Sequence, residues 1–164
     1  MKPSIRIIAA IVLALPLGFT TSAALAADTG HSHGPEVHGT LEMNHGQQWE
    51  TDAPLRQGMG NLHKIVSNGL DGAHANTLQP DDYKNMSGEI NQQFAYIVEN
   101  CKLEPQADAQ LHVLLAGMMQ GVEVMEGKVS GSQPEQGLVK MAQSLNEYGK
   151  YFNHPNWQHF DVSH

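Results

Sequence analysis

The chain has a single cysteine, Cys101, and few basic residues, with nine Lys and Arg against seventeen Asp and Glu in 164 residues. One cysteine excludes an internal disulfide bond, so the fold must depend on its hydrophobic core. The acidic excess argues against nucleic acid or an anionic membrane surface as a partner, because both attract basic patches. No stretch alternates apolar and polar residues in the manner of a strand. These features together predict an all-helical protein.

Motifs of several cofactor and catalytic classes are also missing. There is no Cys-x-x-Cys-His sequence for covalent haem attachment, and no pair of helical Glu-x-x-His motifs for a di-iron centre. Asp108 and His112 are four residues apart and could pair on one helix face, but no candidate nucleophile accompanies them. We therefore expect a protein that is not an enzyme.

The first 26 residues have the features of an export signal. Lys2 and Arg6 provide a positive start, residues 7–17 are nearly all apolar, and Ala-Leu-Ala at 24–26 matches a signal-peptidase site. The apolar run is shorter than the roughly 20 residues of a transmembrane helix. We expect a signal peptide over 1–26 and a soluble, periplasmic mature protein without membrane insertion. Its seven basic and seventeen acidic residues would give a net charge of −10.

Residues 27–50 differ in composition from the residues that follow. They are rich in Gly, His and small polar residues and show no apolar periodicity, which predicts a flexible, His-rich tail. Residues 51–164 are expected to form one domain.

Four helices are predicted in that domain, each with apolar residues spaced three and four apart. They begin at Pro54, Pro80, Pro105 and Pro134, where the missing N–H of proline costs nothing. The first is expected to end by Gly69. Short connections favour antiparallel neighbours and hence an up-down-up-down four-helix bundle. The predicted core positions are Leu55, Met59, Leu62, Val66, Tyr83, Met86, Ile90, Phe94, Ile97, Cys101, Ala107, Leu111, Leu114, Met118, Val122, Met125, Leu138, Met141, Leu145, Tyr148 and Phe152.

The tail contains the first candidate metal ligands. His31, His33, His38 and His45 lie within fifteen residues, and Met43 precedes the last of them. Neutral imidazole binds Cu, Zn and Ni, thioether sulfur selects Cu(I), and short His-rich tracts are typical of metal binding. The alternative is a solvated linker that happens to be rich in histidine.

A second set follows from the expected bundle. If helix directions alternate, Met59 and His112 both lie about seven residues from the same end, roughly 10 Å along the axis. Cys101 and His154 close the second and fourth helices at that end. We therefore predict Met59, Cys101 and His112 as additional metal ligands. The alternatives are a core methionine, a buried thiol and a histidine bonded to a backbone carbonyl.

This layout resembles the periplasmic cytochrome b562 and cytochrome c-prime bundles, with an early methionine in the first helix and a histidine after the last. In cytochrome b562 such residues ligate haem, so the resemblance implies Met59 and His154 as the matching positions. Residues 49–59 and 100–112 also look like segments of small exported bacterial proteins that have no settled biochemical role.

The leading hypothesis is a periplasmic metal-binding protein, with copper favoured, that serves sequestration, delivery or tolerance. Its partners would be the metal ion and an envelope protein. The alternatives are a bundle that binds haem without covalent attachment, and a non-catalytic interaction or sensor module.

Overall fold

A computed structural model describes residues 39–162 of the chain. Within these residues the structure is all-helical and has no β-strand. The four helices are α1 (Ala53–His74), α2 (Pro80–Asn100), α3 (Pro105–Met125) and α4 (Pro134–Tyr151). The predicted number of helices and the all-α, four-helix class are confirmed.

Each helix has proline in its first two positions, as the sequence predicts. At three of these helix starts, a polar side chain accepts a hydrogen bond from a backbone N–H group. Asp52 Oδ1 accepts a hydrogen bond from the backbone N–H of Leu55 at 2.8 Å. The N–H groups before α2 and α4 donate to side chains three residues ahead, from Gln79 to Asp82 and from Gln133 to Gln136. Local chemistry therefore fixes where these helices begin.

The expected end of α1 at Gly69 is wrong, because the helix continues to His74. Gly69 is buried where α1 approaches both α2 and α4. A Cβ atom there would lie 2.8 Å from Met86 Sδ and 3.0 Å from Leu138 Cδ1. The residue is thus glycine to allow close helix packing rather than to stop the helix.

Nearly every predicted core position is buried, including Met59 at 0% exposure. Met86 and Cys101 are the exceptions, since both are half-buried and pack against the core. Helix α3 packs mainly on α4, and α1 packs on α2 and α4. The spacing of apolar residues therefore identified the buried face of each helix correctly.

In a packed pair of helices, residues near the start of one helix contact residues near the end of the other. Near the start of α1, Gly58 lies against Ile97 near the end of α2, whereas Gly69 lies against Met86 near the start of α2. In the same way, the last turns of α3 meet the first turns of α4 at Gly121 and Gly137. None of the helices among the described residues is long and apolar enough to cross a membrane.

Residues 39–50, the second half of the predicted flexible tail, pack on the bundle. The backbone N–H of Glu42 donates to Gln110 Oε1 at 2.8 Å, and Trp49 Nε1 donates to the carbonyl of Glu42 at 2.7 Å. Trp49 is itself buried, and its backbone exchanges hydrogen bonds with Tyr151 and Asn153 at the end of α4. The packed part of the chain therefore includes residues that composition alone assigned to the tail.

Replacing Gly137 by alanine should destabilise the protein by about 1–3 kcal/mol. The new Cβ would lie 2.5 Å from the carbonyl oxygen of Gly121 and 2.7 Å from the backbone nitrogen of Met125, so the helix backbones would have to separate. Urea unfolding followed by circular dichroism measures the change.

The matched control is Gly88→Ala in α2, where a Cβ meets no atom within 4 Å. The higher helix propensity of alanine should leave stability unchanged or raise it by up to about 1 kcal/mol. Equal losses of stability in the two variants would contradict the close approach of α3 and α4.

Candidate functional site

One end of the bundle, which we call the Asp52 end, brings several chain segments together. It comprises the start of α1, residues 101–104 between α2 and α3 with the first turn of α3, and residues 152–153 after α4. Asp52 Oδ2 accepts from the backbone N–H of Lys102 at 2.7 Å, while its other oxygen caps α1. A single carboxylate therefore holds the start of α1 beside the chain that leaves α2.

A cleft of about 590 Å³ opens at the Asp52 end. The residues that line it include Trp49, Glu50, Asp52, Lys102 and Glu104. A concave surface with an aromatic wall and several polar groups has the general form of a small-ligand site. Asp52 already accepts two backbone hydrogen bonds there, so part of its capacity is used by the fold.

Cys101 lies immediately after α2 and is half-buried. Burial raises the pKa of its thiol to about 12, and the neighbouring carboxylates of Asp52 and Asp108 add to the increase. Metals bind the thiolate, not the thiol. Cys101 therefore keeps its proton at neutral pH, and a metal ion would have to displace that proton to bind.

Met59 and His112 lie in very different surroundings. The Met59 side chain is sealed in the core at 0% exposure. His112 is on the surface of α3, where its Nδ1 atom lies 2.9 Å from the backbone carbonyl of Asp108 and 3.5 Å from the Asp108 carboxylate. This contact is the backbone-bonded alternative anticipated for a histidine at this position.

The three predicted bundle-end ligands thus differ in environment, with Met59 in the core, Cys101 half-buried and His112 on the surface. Across residues 39–162, no group of three or more His, Cys, Asp or Glu side chains is arranged to hold a metal ion. Of the haem ligands implied by the resemblance, Met59 is enclosed in the core, while His154 lies with Nδ1 3.0 Å from the Tyr148 hydroxyl, a contact that does not engage its Nε2 atom.

Met43 and His45, by contrast, share one exposed turn. Asn44 and Gln47 close the turn by exchanging two backbone hydrogen bonds of 2.8 and 2.9 Å. His45 has φ of 49°, a left-handed conformation in which histidine is several-fold enriched. The turn borders a second cleft of about 400 Å³, on the surface of α3, that Glu42 also lines. His31, His33 and His38 lie outside the described residues.

Sequence reasoning missed Glu42 as a possible donor. Its carboxylate is three residues before His45, and both side chains are exposed on the rim of the same cleft. The signal that would have found it is the Glu-x-x-His spacing, which is familiar from helical metal sites but here lies in a turn.

A cluster of rings between α1 and α4 was also missed. His63 stacks on Phe160 with ring centroids 4.2 Å apart, and Trp157 makes edge contacts with both His63 and Tyr148. Burial, aided by the positive Arg56 and by His63, lowers the pKa of His154 at the margin of this cluster. The sequence signal was the run of aromatic and histidine residues after α4.

Searches against models of protein families, curated proteins and solved structures found no match to this chain.

The Cys101 thiol should react very slowly with alkylating reagents in the native protein. With a pKa of about 12, only on the order of 10⁻⁴ of the thiol is ionised at pH 8. Asp52→Asn should speed the reaction, because it removes one carboxylate that raises this pKa while keeping a good helix cap. Mass-spectrometric timing of iodoacetamide labelling checks both rates.

Urea-unfolded protein provides the reference rate for an ordinary cysteine. Native protein that labels as fast as unfolded protein would show that Cys101 is an accessible, ionisable thiol. It would then return as a candidate ligand.

Proposed function

We propose that this chain is an exported, periplasmic protein that binds a transition metal, with copper favoured, and serves sequestration, delivery or tolerance. Its ligands would be His31, His33, His38, Met43 and His45. The bundle would act as the support for this segment. An up-down-up-down order of the four helices, supported by the contacts of α1 with α2 and of α3 with α4, forms part of the proposal.

The observation that carries the proposal is the position of Met43 and His45. Both side chains are exposed, and Met43 is 37% accessible despite being apolar. Their turn is held against α3 by the hydrogen bonds of Glu42 with Gln110 and Trp49. Two donors fixed in this way lower the entropy cost of closing the preceding histidines around an ion.

The donor types favour copper over harder cations. Thioether sulfur from Met43 selects Cu(I), and imidazole from His45 suits both oxidation states of copper as well as Zn and Ni. The Glu42 carboxylate at the same cleft adds a harder donor and a negative charge. The acidic composition of the chain would also draw cations towards the protein.

The bundle-end residues do not enter this proposal. Met59 is enclosed in the core, and burial raises the pKa of the Cys101 thiol. His112 is exposed beside Asp108, and within residues 39–162 no third His, Cys, Asp or Glu side chain joins them in an arrangement that could hold a metal ion. Haem is placed second because one of its two implied ligands, Met59, is sealed among core side chains and exposes no surface to an iron atom. Met43 and His45, by contrast, are already exposed.

Titrating the chain from residue 27 onwards with Cu(I), Cu(II), Zn and Ni tests the proposal by competition with chromophoric chelators. We expect copper to bind more tightly than about 10 μM, since that value corresponds to only about −7 kcal/mol. Met43→Leu should weaken Cu(I) binding about tenfold, or about 1.4 kcal/mol, and leave Zn unchanged. His45→Asn should weaken both forms of copper, and asparagine tolerates the left-handed turn.

Cys101→Ala and His112→Gln are the matched controls, and both should retain the parent affinity. Copper affinity weaker than about 10 μM would rule out a dedicated site. A loss of binding in the control variants, with Met43→Leu and His45→Asn unaffected, would instead support Met59, Cys101 and His112 as the metal ligands.

A further inference from the structure

The segment 153–162 folds back along α1 and α4, and we call it the C-terminal strap. Asn146 on α4 clamps its far end through two hydrogen bonds, one to Phe160 N–H at 2.8 Å and one to Phe160 C=O at 2.9 Å. Trp157 occupies a space left by Gly149, where a Cβ would lie 2.1 Å from the indole Cδ1 atom. The strap is therefore seated by specific contacts.

At the near end of the strap, His154 contacts a buried tyrosine. The Tyr148 side chain has 0% exposure, and its hydroxyl lies 3.0 Å from His154 Nδ1. A neutral imidazole can accept the hydroxyl proton at Nδ1, whereas an imidazolium has no lone pair to offer there. Protonation would thus leave the buried hydroxyl proton without this acceptor, which disfavours the docked strap.

His63 on α1 supports the middle of the strap. Its ring stacks on Phe160 with an interplanar angle of 22°, and its Nε2 atom lies 3.0 Å from the backbone carbonyl of Gln158. It also meets the edge of Trp157 at 5.1 Å between ring centroids. The strap thus rests on one histidine from α1 while it carries a second, His154, of its own.

The charges around His154 oppose a proton on its ring. Arg56 and His63 act on it from α1, and Lys64, also on α1, lines the same small cleft of about 190 Å³. On the α4 side the ring faces Tyr148. Burial raises the pKa of the Tyr148 hydroxyl, Arg56 opposes this increase, and Cys101 and Asp52 add to it. Burial is the largest cause that lowers the pKa of His154, followed by Arg56 and His63.

We propose that the C-terminal strap is an acid-sensitive latch, which stays docked on α1 and α4 while His154 is neutral and is released when His154 is protonated.

The direction of the pH dependence follows from proton linkage. In the undocked strap His154 should titrate near its ordinary pKa of about 6.5, whereas docking lowers that pKa. The undocked state therefore binds more protons, and the docking free energy falls as pH drops below about 6.5. Above that pH the strap keeps its full docking free energy.

Release would uncover apolar surface that the docked strap protects. Tyr148 and Phe152 are fully buried in the docked state, and Tyr148 contacts both His154 and Trp157. Acidic pH would thus expose aromatic side chains between α1 and α4 that the docked strap covers.

The test uses the chain from residue 27 with Trp49→Phe, in metal-chelating buffer, so that its result does not depend on metal binding. Trp157 is then the sole tryptophan and reports on the strap. Between pH 7.5 and 5 its emission should shift to longer wavelength, while far-UV circular dichroism remains constant. His154→Gln, which keeps a neutral acceptor, should abolish the shift, and His159→Gln, an exposed strap histidine, should leave it intact.

If one of these variants fails to fold, a second measurement on the unmodified protein still tests the proposal. NMR titration of the unmodified protein should give His154 a pKa below about 6.5. The proposal is overturned by a His154 pKa at or above that value, by an unchanged emission shift in His154→Gln, by the absence of any shift, or by a simultaneous loss of helical signal.

Discussion

The Asp52 carboxylate is the contact on which the rest of the architecture depends. One oxygen caps the first turn of α1 and the other accepts the N–H of Lys102, so the start of α1 and the end of α2 cannot separate without leaving backbone donors unpaired. The adjacent Trp49 joins the same place to α4 through backbone hydrogen bonds with Tyr151 and Asn153. This junction sets the cleft, raises the pKa of Cys101 and anchors the segment that carries Met43 and His45.

The bundle and the segments attached to it have different chemical roles. Sulfur side chains in the core, such as Met59, are sealed by apolar packing and serve the fold. The groups that the two proposals use lie outside the helices, in the turn at 43–47 and in the strap at 153–162. A rigid helical support with functional groups on flanking segments limits the conformational entropy lost when a ligand binds. The metal proposal and the latch proposal use opposite termini and do not depend on each other.

Sequence periodicity was sufficient for the helices and their buried faces, because proline at a helix start and apolar residues three and four apart report local geometry. It failed at Gly69, where glycine meets a tertiary requirement. It also failed to foresee that Met59 and His112 point to different environments, since distance along an axis says nothing about direction around it. The run of aromatic and histidine residues after α4 signals a ring cluster, but its contact with His63 depends on how the chain returns along α1, which that run does not encode.

The central claim is that metal is held by the leading segment and the turn at 43–47, with the helical core excluded. Backbone NMR spectra recorded during substoichiometric addition of Cu(II) test it most directly, because the paramagnetic ion broadens signals of nearby nuclei. The account predicts selective broadening at Met43, His45 and the facing residues Gln106 and Gln110, with the signals of Met59 and Cys101 preserved. Broadening centred on Met59 and Cys101, with the turn unaffected, would contradict it.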